Sequence, residues 1–224
     1  MAISLLPREA LIKTGGVDHA HWNYDGLLGY VSRRRFALVR SLLPKRRVGK
    51  LLEVGYGSGV FFPELAKHAQ RLYGADIHDR PADVTAVLAK HGVLADLVTA
   101  SADALPYPDG FFDLAVAVST FEFVPDARKA IVELDRVLAP GGKIIVVTPG
   151  RSPILDLALR VFTGESAAKD FGDRRALIVP ALTAETRVER SARFPLFSPV
   201  PVYRAMRLAK RETRPPKRSD RGEI

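Results

Sequence analysis

LLEVGYGSGV, Leu51 to Val60, joins an apolar run to three alternating glycines, and the rest of the chain is organised around it. Leu51, Leu52 and Val54 flank Glu53 as in a short buried strand, and the strand ends in a turn. Gly55, Gly57 and Gly59 then fall on alternate positions, and FFPELAKHAQ behind them has the pattern of an amphipathic helix. Glycine suits a sharp backbone turn against which a ligand must lie, because a Cβ would intrude. Such a turn delivers the ligand to a helix N-terminus, where free amides point outward. The spacing separates nucleotide-binding alternatives. A dinucleotide turn uses G-x-G-x-x-G, whereas here the glycines run G-x-G-x-G and position 60 is valine. A P-loop requires Gly-Lys-Ser/Thr, which is absent here.

The next segment constrains the turn further. RLYGADIHD predicts a second strand, with Leu72, Tyr73 and Ala75 leading into Asp76. A strand that rejoins the sheet beside the first places Asp76 at its carboxyl end, near the glycines, in the crevice where open α/β sheets bind nucleotides. Asp76 follows Gly55 at about the 20-residue interval expected of a ribose-binding acid. A carboxylate there accepts from both ribose hydroxyls. His78, two residues on, reads as a surface loop residue.

Downstream, PADVTAVLAKHG predicts a helix closed by Gly92, and LADLVTAS a third strand. Pro108-Asp109-Gly110 is a turn, and Phe112 to Ser119 is a nearly continuous apolar run, as in a central parallel strand buried on both faces. DARKAIVELDRVL carries apolar Ala127, Ala130, Ile131, Leu134, Val137 and Leu138 at helical spacing, a core-facing stripe. Pro140-Gly141-Gly142 then turns into a β-branched strand from Lys143 to Thr148. Helices are predicted over SPILDLALRVFTG and over DFGDRRALIVPALTAE, the second interrupted by Pro180. RVERSARFP and VYRAMRLAKR give the last two strands.

Taken together, the glycine turn, Asp76, the Leu105-Pro106 and Phe112-Asp113 segment and the Pro-Gly-Gly strand resemble, in order and spacing, the class I S-adenosylmethionine (SAM) dependent methyltransferases. The resemblance covers about residues 50–148 and the last strands by topology only. It implies an α/β Rossmann-like, doubly wound, seven-stranded sheet, mostly parallel with an antiparallel last strand, plus an N-terminal helical cap. The implied organisation is a cap over 1–44, a SAM-binding domain over 45–210 and a basic, disordered tail over 211–224. It also implies cofactor contacts at Glu53, Gly55, Gly57 and Gly59, at Asp76 and Ile77, and at Ser119. The usual adenine-contacting acid falls at Ser101, so the chain departs from the pattern there. Either Asp103 substitutes, or the Ser101 hydroxyl and the Ala102 amide suffice.

The implied reaction is transfer of the methyl group of SAM to a small-molecule acceptor by in-line displacement. The layout resembles the subgroup acting on quinones and lipids. Relatives often carry histidine where this chain has Phe123, so a histidine base at that position is not expected. Glu122, His21 and Tyr24 are the catalytic candidates, with His19 beside them. Glu122 either holds the substrate or the cofactor's amino group, or is a solvated loop carboxylate. His19, His21, Trp22 and Tyr24 belong either to a cap closing over substrate or to an aromatic staple fixing the first helix to the sheet. No metal is expected, because no carboxylate or cysteine ligand set surrounds the two histidines.

Composition bounds these readings. At 224 residues and 47% apolar, the chain is long enough for one domain with a full core. No stretch approaches the roughly 20 apolar residues of a membrane span, and the start does not read as a secretory signal. Cysteine is absent, which excludes disulfides, iron–sulfur radical chemistry and a thiolate nucleophile, and fits a cytoplasmic location. The net charge of +9 is uneven, with +7 over residues 1–50, −3 over 51–200 and +5 over 201–224. No aromatic–basic interleaving accompanies the basic ends, so nucleic acid is not the expected partner, while peripheral membrane contact stays open. An RNA or protein methyltransferase using those ends, and a non-catalytic SAM-binding protein, are the alternatives. Oligomeric state is not readable.

Overall fold

A computed structural model describes residues 3–16, 18–150, 174–196 and 201–210. Seven strands form one sheet: β1 (Val48–Val54), β2 (Ala69–Asp76), β3 (Asp96–Thr99), β4 (Phe112–Val118), β5 (Leu138–Pro149), β6 (Thr186–Phe194) and β7 (Tyr203–Lys210), in the order β3-β2-β1-β4-β5-β7-β6. All neighbouring pairs are parallel except those of β7, which lies antiparallel between β5 and β6. Sheet and polarity agree with the expected architecture.

Alternate residues of the central strands feed two cores, as a pleated strand buried on both faces requires. Leu51, Leu114, Val116, Ile145 and Val147 point to one face, which is covered by α1 (Gly26–Leu42), the short α2 (Phe62–Leu65) and α3 (Pro81–Lys90). Leu52, Val54, Ala115, Ala117, Ile144 and Val146 point to the other, covered by α4 (Ala127–Val137) and α5 (Arg174–Glu185). The predicted stripe of α4 is buried there, with Ala130, Ile131, Leu134 and Val137 inaccessible.

Register is pinned by side chains as well as by the ladder. The Asp113 carboxylate on β4 accepts the Lys50 amide of β1 at 2.8 Å. That gives the Phe-Asp pair at the start of β4 a structural reason. Gly141 has φ +80°, and a Cβ on Gly142 would stand 2.9 Å from the Ala139 carbonyl oxygen, so the Pro-Gly-Gly turn admits little else. Arg136 ties the loop before β4 to α4. Its guanidinium donates to Glu133, to Asp109 and to the carbonyls of Leu105 and Tyr107, while Glu133 also accepts the Leu105 amide. The Arg136 hydrogen bond holds the Glu133 carboxyl below the usual carboxylate range against the opposing effect of burial.

Several expectations are corrected. The helix behind the glycine turn is four residues long, not ten, because the chain must reach Ala69 to pair with Val48, and the Val48 amide already bonds the His68 carbonyl. Strand geometry in β5 begins at Leu138 and takes in the Pro-Gly-Gly turn through an irregular register against Phe112. Helix α5 runs through Pro180, whose missing N–H is offset by burial of Ile178 and Leu182 against the α4 side of the core. The predicted helix over 152–164, the start of the next one over 170–173 and the tail over 211–224 lie outside the described residues.

The N-terminal third is more tightly built than its sequence suggested. Phe36, Val39 and Leu42 of α1 are core residues, and Phe36 stacks on Phe61 at 4.5 Å. The segment before α1 runs as a strap beside the glycine turn. Leu6 is fully buried and its amide bonds the Val60 carbonyl, while the Ser4 amide bonds the buried Glu64 carboxylate.

Truncating Arg136 removes the charged partner of Glu133 and the donors to two carbonyls at once. Arg136→Ala is expected to lower the urea unfolding free energy by about 1.5–3 kcal/mol. Glu133→Gln tests the same network by pH. A carboxyl whose folded pKa is lowered stabilises above its unfolded value and loses that contribution as pH falls through the folded one. The stability gap between wild type and Glu133→Gln is therefore expected at neutral pH and should close below about pH 4.3.

Candidate functional site

The carboxyl ends of β1, β2 and β4 lie level, since Val54 registers with Ala75 on one side and Ala117 on the other. Gly55 and Asp76 follow level with Val118, Ser119 comes one residue further, and together they define a crevice. The backbone of Gly57 is clamped there through both its polar groups. The Gly57 N–H donates to Asp76 Oδ2 at 2.7 Å, and the Gly57 carbonyl faces His78 Nε2 at 3.1 Å. The Arg80 amide donates to His78 Nδ1 at 3.1 Å, so Nε2 carries the proton and donates to Gly57. His78 is thus part of the site's frame, which corrects its reading as a surface residue. No sequence pattern marks that role, since it follows from the tight turn after Asp76.

The three glycines serve different needs. All have positive φ, at +73°, +50° and +72° for Gly55, Gly57 and Gly59. A Cβ on Gly55 would fall inside the Thr120 side chain, whose hydroxyl bonds the Val54 carbonyl at 2.9 Å. A Cβ on Gly59 would press on Val84 at 3.0 Å. At Gly57 the nearest atoms would be the Asp18 carboxylate at 3.8 Å, so the space above that residue is open. Two glycines therefore close the fold, and the third leaves room for a ligand.

Buried polar groups surround this room. Glu53 is buried at the end of β1, and its Oε2 has no hydrogen-bond partner. Burial pushes its carboxyl well above the usual carboxylate range, and the Asp76 charge adds to this, while Arg35 opposes it. Ser119 is the one non-glycine residue with positive φ among the described residues, at 54°, and its buried hydroxyl is also unpartnered. Backbone held in that region costs about 1–2 kcal/mol and marks sites where geometry has a purpose. Ile77 is 75% exposed although apolar, and it stands directly after Asp76 at the crevice mouth. Ala102 is buried, and the exposed Ser101 donates its hydroxyl to Asp103, so these two expected contacts engage each other.

The catalytic candidates separate. Glu122 is completely buried just past β4, so it is not a solvated loop carboxylate. His21 is exposed at the strap, in edge contact with Trp22, on which His19 stacks at 4.1 Å. The Tyr24 hydroxyl donates to the Leu6 carbonyl, and burial raises its pKa, so it holds its proton and staples the strap. The bond ties Tyr24, just before α1, back to the strap at Leu6 and not, as the staple alternative had it, the first helix to the sheet; with its hydroxyl so engaged, Tyr24 is less suited than the other candidates to act as a base. Among the described residues no group of acids and histidines is spaced to hold a metal.

Residues the sequence reading missed come from the N-terminal third. Asp18 reaches over Gly57 and is fixed by the Thr14 hydroxyl at 2.8 Å and the Ala20 amide at 3.1 Å. Arg35 on α1 acts electrostatically on Glu53 and bonds the buried Asn23 side chain at 3.4 Å. Tyr56 is buried between Phe62 and His78, and burial raises its phenol. Only the alternating glycines beside Tyr56 hinted at any of these.

Comparison with known proteins places this geometry. Residues 52–146 match the methyltransferase domain family. Over 108 residues the chain is 37% identical to a probable chloroplastic tocopherol O-methyltransferase of Oryza sativa subsp. japonica, covering 46% of this chain and 30% of that protein. Over 123 residues it is 33% identical to the ubiquinone/menaquinone biosynthesis C-methyltransferase UbiE of Pasteurella multocida, covering 52% and 46%. Among solved structures, a SAM dependent methyltransferase from Aquifex aeolicus superposes with a TM-score of 0.58 at 18% identity, covering 79% of this chain and 92% of that one. That likeness concerns the fold. The chain spans between 29% and 62% of the length of the curated relatives it matches.

The Glu53 environment makes a prediction of opposite sign to that of Glu133. A carboxyl whose folded pKa is raised loses stabilisation as pH climbs from its unfolded value, about 4.3, toward the folded one. Glu53→Gln keeps the shape without the charge. Its unfolding free energy should gain on wild type as pH rises above about 4.3. A difference between the two proteins that stays flat with pH would contradict the burial of this charge.

Proposed function

We propose, for a chain whose residues 52–146 match the methyltransferase domain family, that it is an enzyme transferring the methyl group of SAM to a lipophilic small molecule in the cytoplasm. The observation that carries this reading is the clamped Gly57 backbone, with open space above it and the Asp76 carboxylate beside it. The residues fit such a cofactor. A carboxylate offers about four acceptor positions, and the Gly57 amide and the long His78 contact at 3.4 Å engage only part of them. The remainder is available to a ribose diol, with Ile77 as apolar cover for an adenine and Ser101, Ala102 and Asp103 at its edge. The unpartnered oxygens of Glu53 and Ser119, with Asp18 and Arg35 nearby, suit the charged amino-acid end.

When bound, SAM supplies a methyl carbon already made electrophilic by its sulfonium. The chain's own residues then have to orient the acceptor, exclude water and, for an acceptor that must ionise, take a proton. Holding two reactants in line supplies roughly 7–11 kcal/mol of the barrier reduction. Glu122 lies buried past the strained Ser119, where β4 ends, and is the best-placed group to position the acceptor or accept its proton. His21 on the strap is the second. The lipophilic character of the acceptor is inferred from the relatives, whose names specify tocopherol and quinones.

Calorimetric titration tests the cofactor assignment. Wild type should bind SAM at micromolar levels, and Asp76→Ala should bind about 10- to 100-fold more weakly, the worth of charged hydrogen bonds to the ribose. Gly57→Ala, whose Cβ meets nothing closer than 3.8 Å but whose φ of +50° costs about 1–2 kcal/mol, should fold with lowered stability and yet lose binding. A folded wild-type protein that does not bind SAM would overturn the assignment.

A further inference from the structure

One rim of the molecule combines exposed apolar side chains with arginines that lack an acid partner among the described residues. Leu27 and Tyr30 are 76% and 49% exposed, and with Arg34 they lie one above another on the outer face of α1. The Arg34 guanidinium sits over the rings of Tyr30 and Phe194, at 5.5 and 4.8 Å, which joins α1 to the end of β6. Leu196, just past that strand, is 60% exposed, and its carbonyl holds the exposed Arg193 at 2.8 Å. Arg193 stands directly opposite the exposed Arg204 of β7.

Like charges facing each other across strands are destabilising, and neither arginine forms an ion pair with an acid among the described residues. Two other arginines of the same hairpin do have an acid. Arg187 and Arg207 both reach Glu189, at 3.4 and 3.3 Å. Arg190, exposed between Arg187 and Arg193 on β6, has no acid partner among the described residues, so the uncompensated charge runs toward the end that carries Arg193 and Arg204. That end is the functional one: Arg204 registers with Thr148 of β5, next to Val147, which registers with Val118 just before Ser119. With strands about 4.8 Å apart, Arg193 is roughly 14 Å from the crevice, on the same rim.

From this juxtaposition we propose that the rim formed by Leu27, Tyr30, Arg34, Arg193, Leu196 and Arg204 docks the protein on an anionic lipid surface. Apolar side chains entering the headgroup layer with arginines on the phosphates is the chemistry of interfacial binding. A tyrosine and an arginine that cover apolar surface while keeping polar tips outward suit that boundary. The docked orientation turns the acceptor side of the crevice toward the bilayer, where a lipophilic acceptor is dissolved. In purpose the proposal rests on the acceptor class argued above, but docking itself is measured without turnover.

The experiment is co-sedimentation of the full-length protein with vesicles. Wild type should bind phosphatidylglycerol-rich vesicles, release them with salt and leave pure phosphatidylcholine vesicles alone. Leu27→Ser combined with Tyr30→Ser and Leu196→Ser, and separately Arg193→Gln combined with Arg204→Gln, should each weaken binding about tenfold or more. All these positions are solvent-facing, so thermal unfolding and SAM binding should stay at wild-type values. Unchanged vesicle binding by both variants would overturn the proposal. So would a rim that instead forms a dimer in ultracentrifugation, lost in the same variants, or one that binds RNA and not vesicles. Vesicle binding without SAM binding would leave docking standing and remove the enzymatic reading.

Discussion

The structure depends on the clamp around the Gly57 backbone. Asp76 accepts its N–H and His78 donates to its carbonyl, so the two peptide units that flank Gly57 are held by two residues, one at the end of β2 and one just past it. The clamp converts a flexible glycine-rich segment into a fixed surface. It needs β1 and β2 in register, and that register comes from the parallel ladder from Val48 to Val54. Gly55 and Gly59 let the chain enter and leave the clamp against Thr120 and Val84. The sheet, the turn and the crevice are in this sense one feature.

Charge in the crevice is arranged around that residue. Asp76 is the acid at its mouth, and Glu53 behind it is kept toward its neutral form by burial and by the charge of Asp76. Asp18 arrives over Gly57 from the strap, and Arg35 acts on Glu53 from α1. A site with two buried oxygens lacking partners and one strained serine is costly to the fold unless a ligand uses them. The same α1 that buries Phe36, Val39 and Leu42 inward carries Leu27, Tyr30 and Arg34 outward, so one helix links the core, the crevice and the rim.

Much of this was legible in the sequence where a pattern has one physical cause. The apolar run of β4, the stripe of α4 and the turn glycines each state their own burial or backbone need. The interval from Gly55 to Asp76 placed the acid correctly at the strand end. Length was less legible: FFPELAKHAQ has helical spacing, yet the pairing of Ala69 with Val48 takes its second half for the sheet. Long-range partners were not legible. His78, Asp18 and Arg35 gain their meaning from chain segments that packing alone brings together, and Tyr24 was read as chemistry when its hydroxyl closes onto Leu6. An isolated histidine or aspartate in a loop carries no periodicity to announce such a role.

The most direct measurement of the central claim is a titration of isotopically labelled protein with S-adenosylhomocysteine, followed by amide and carboxylate resonances. The Gly57 amide and the Asp76 side-chain carboxyl should shift together and saturate at one ligand concentration, with the Ser119 amide moving alongside. Saturable binding that leaves Gly57 and Asp76 unmoved, while resonances elsewhere shift, would contradict that claim.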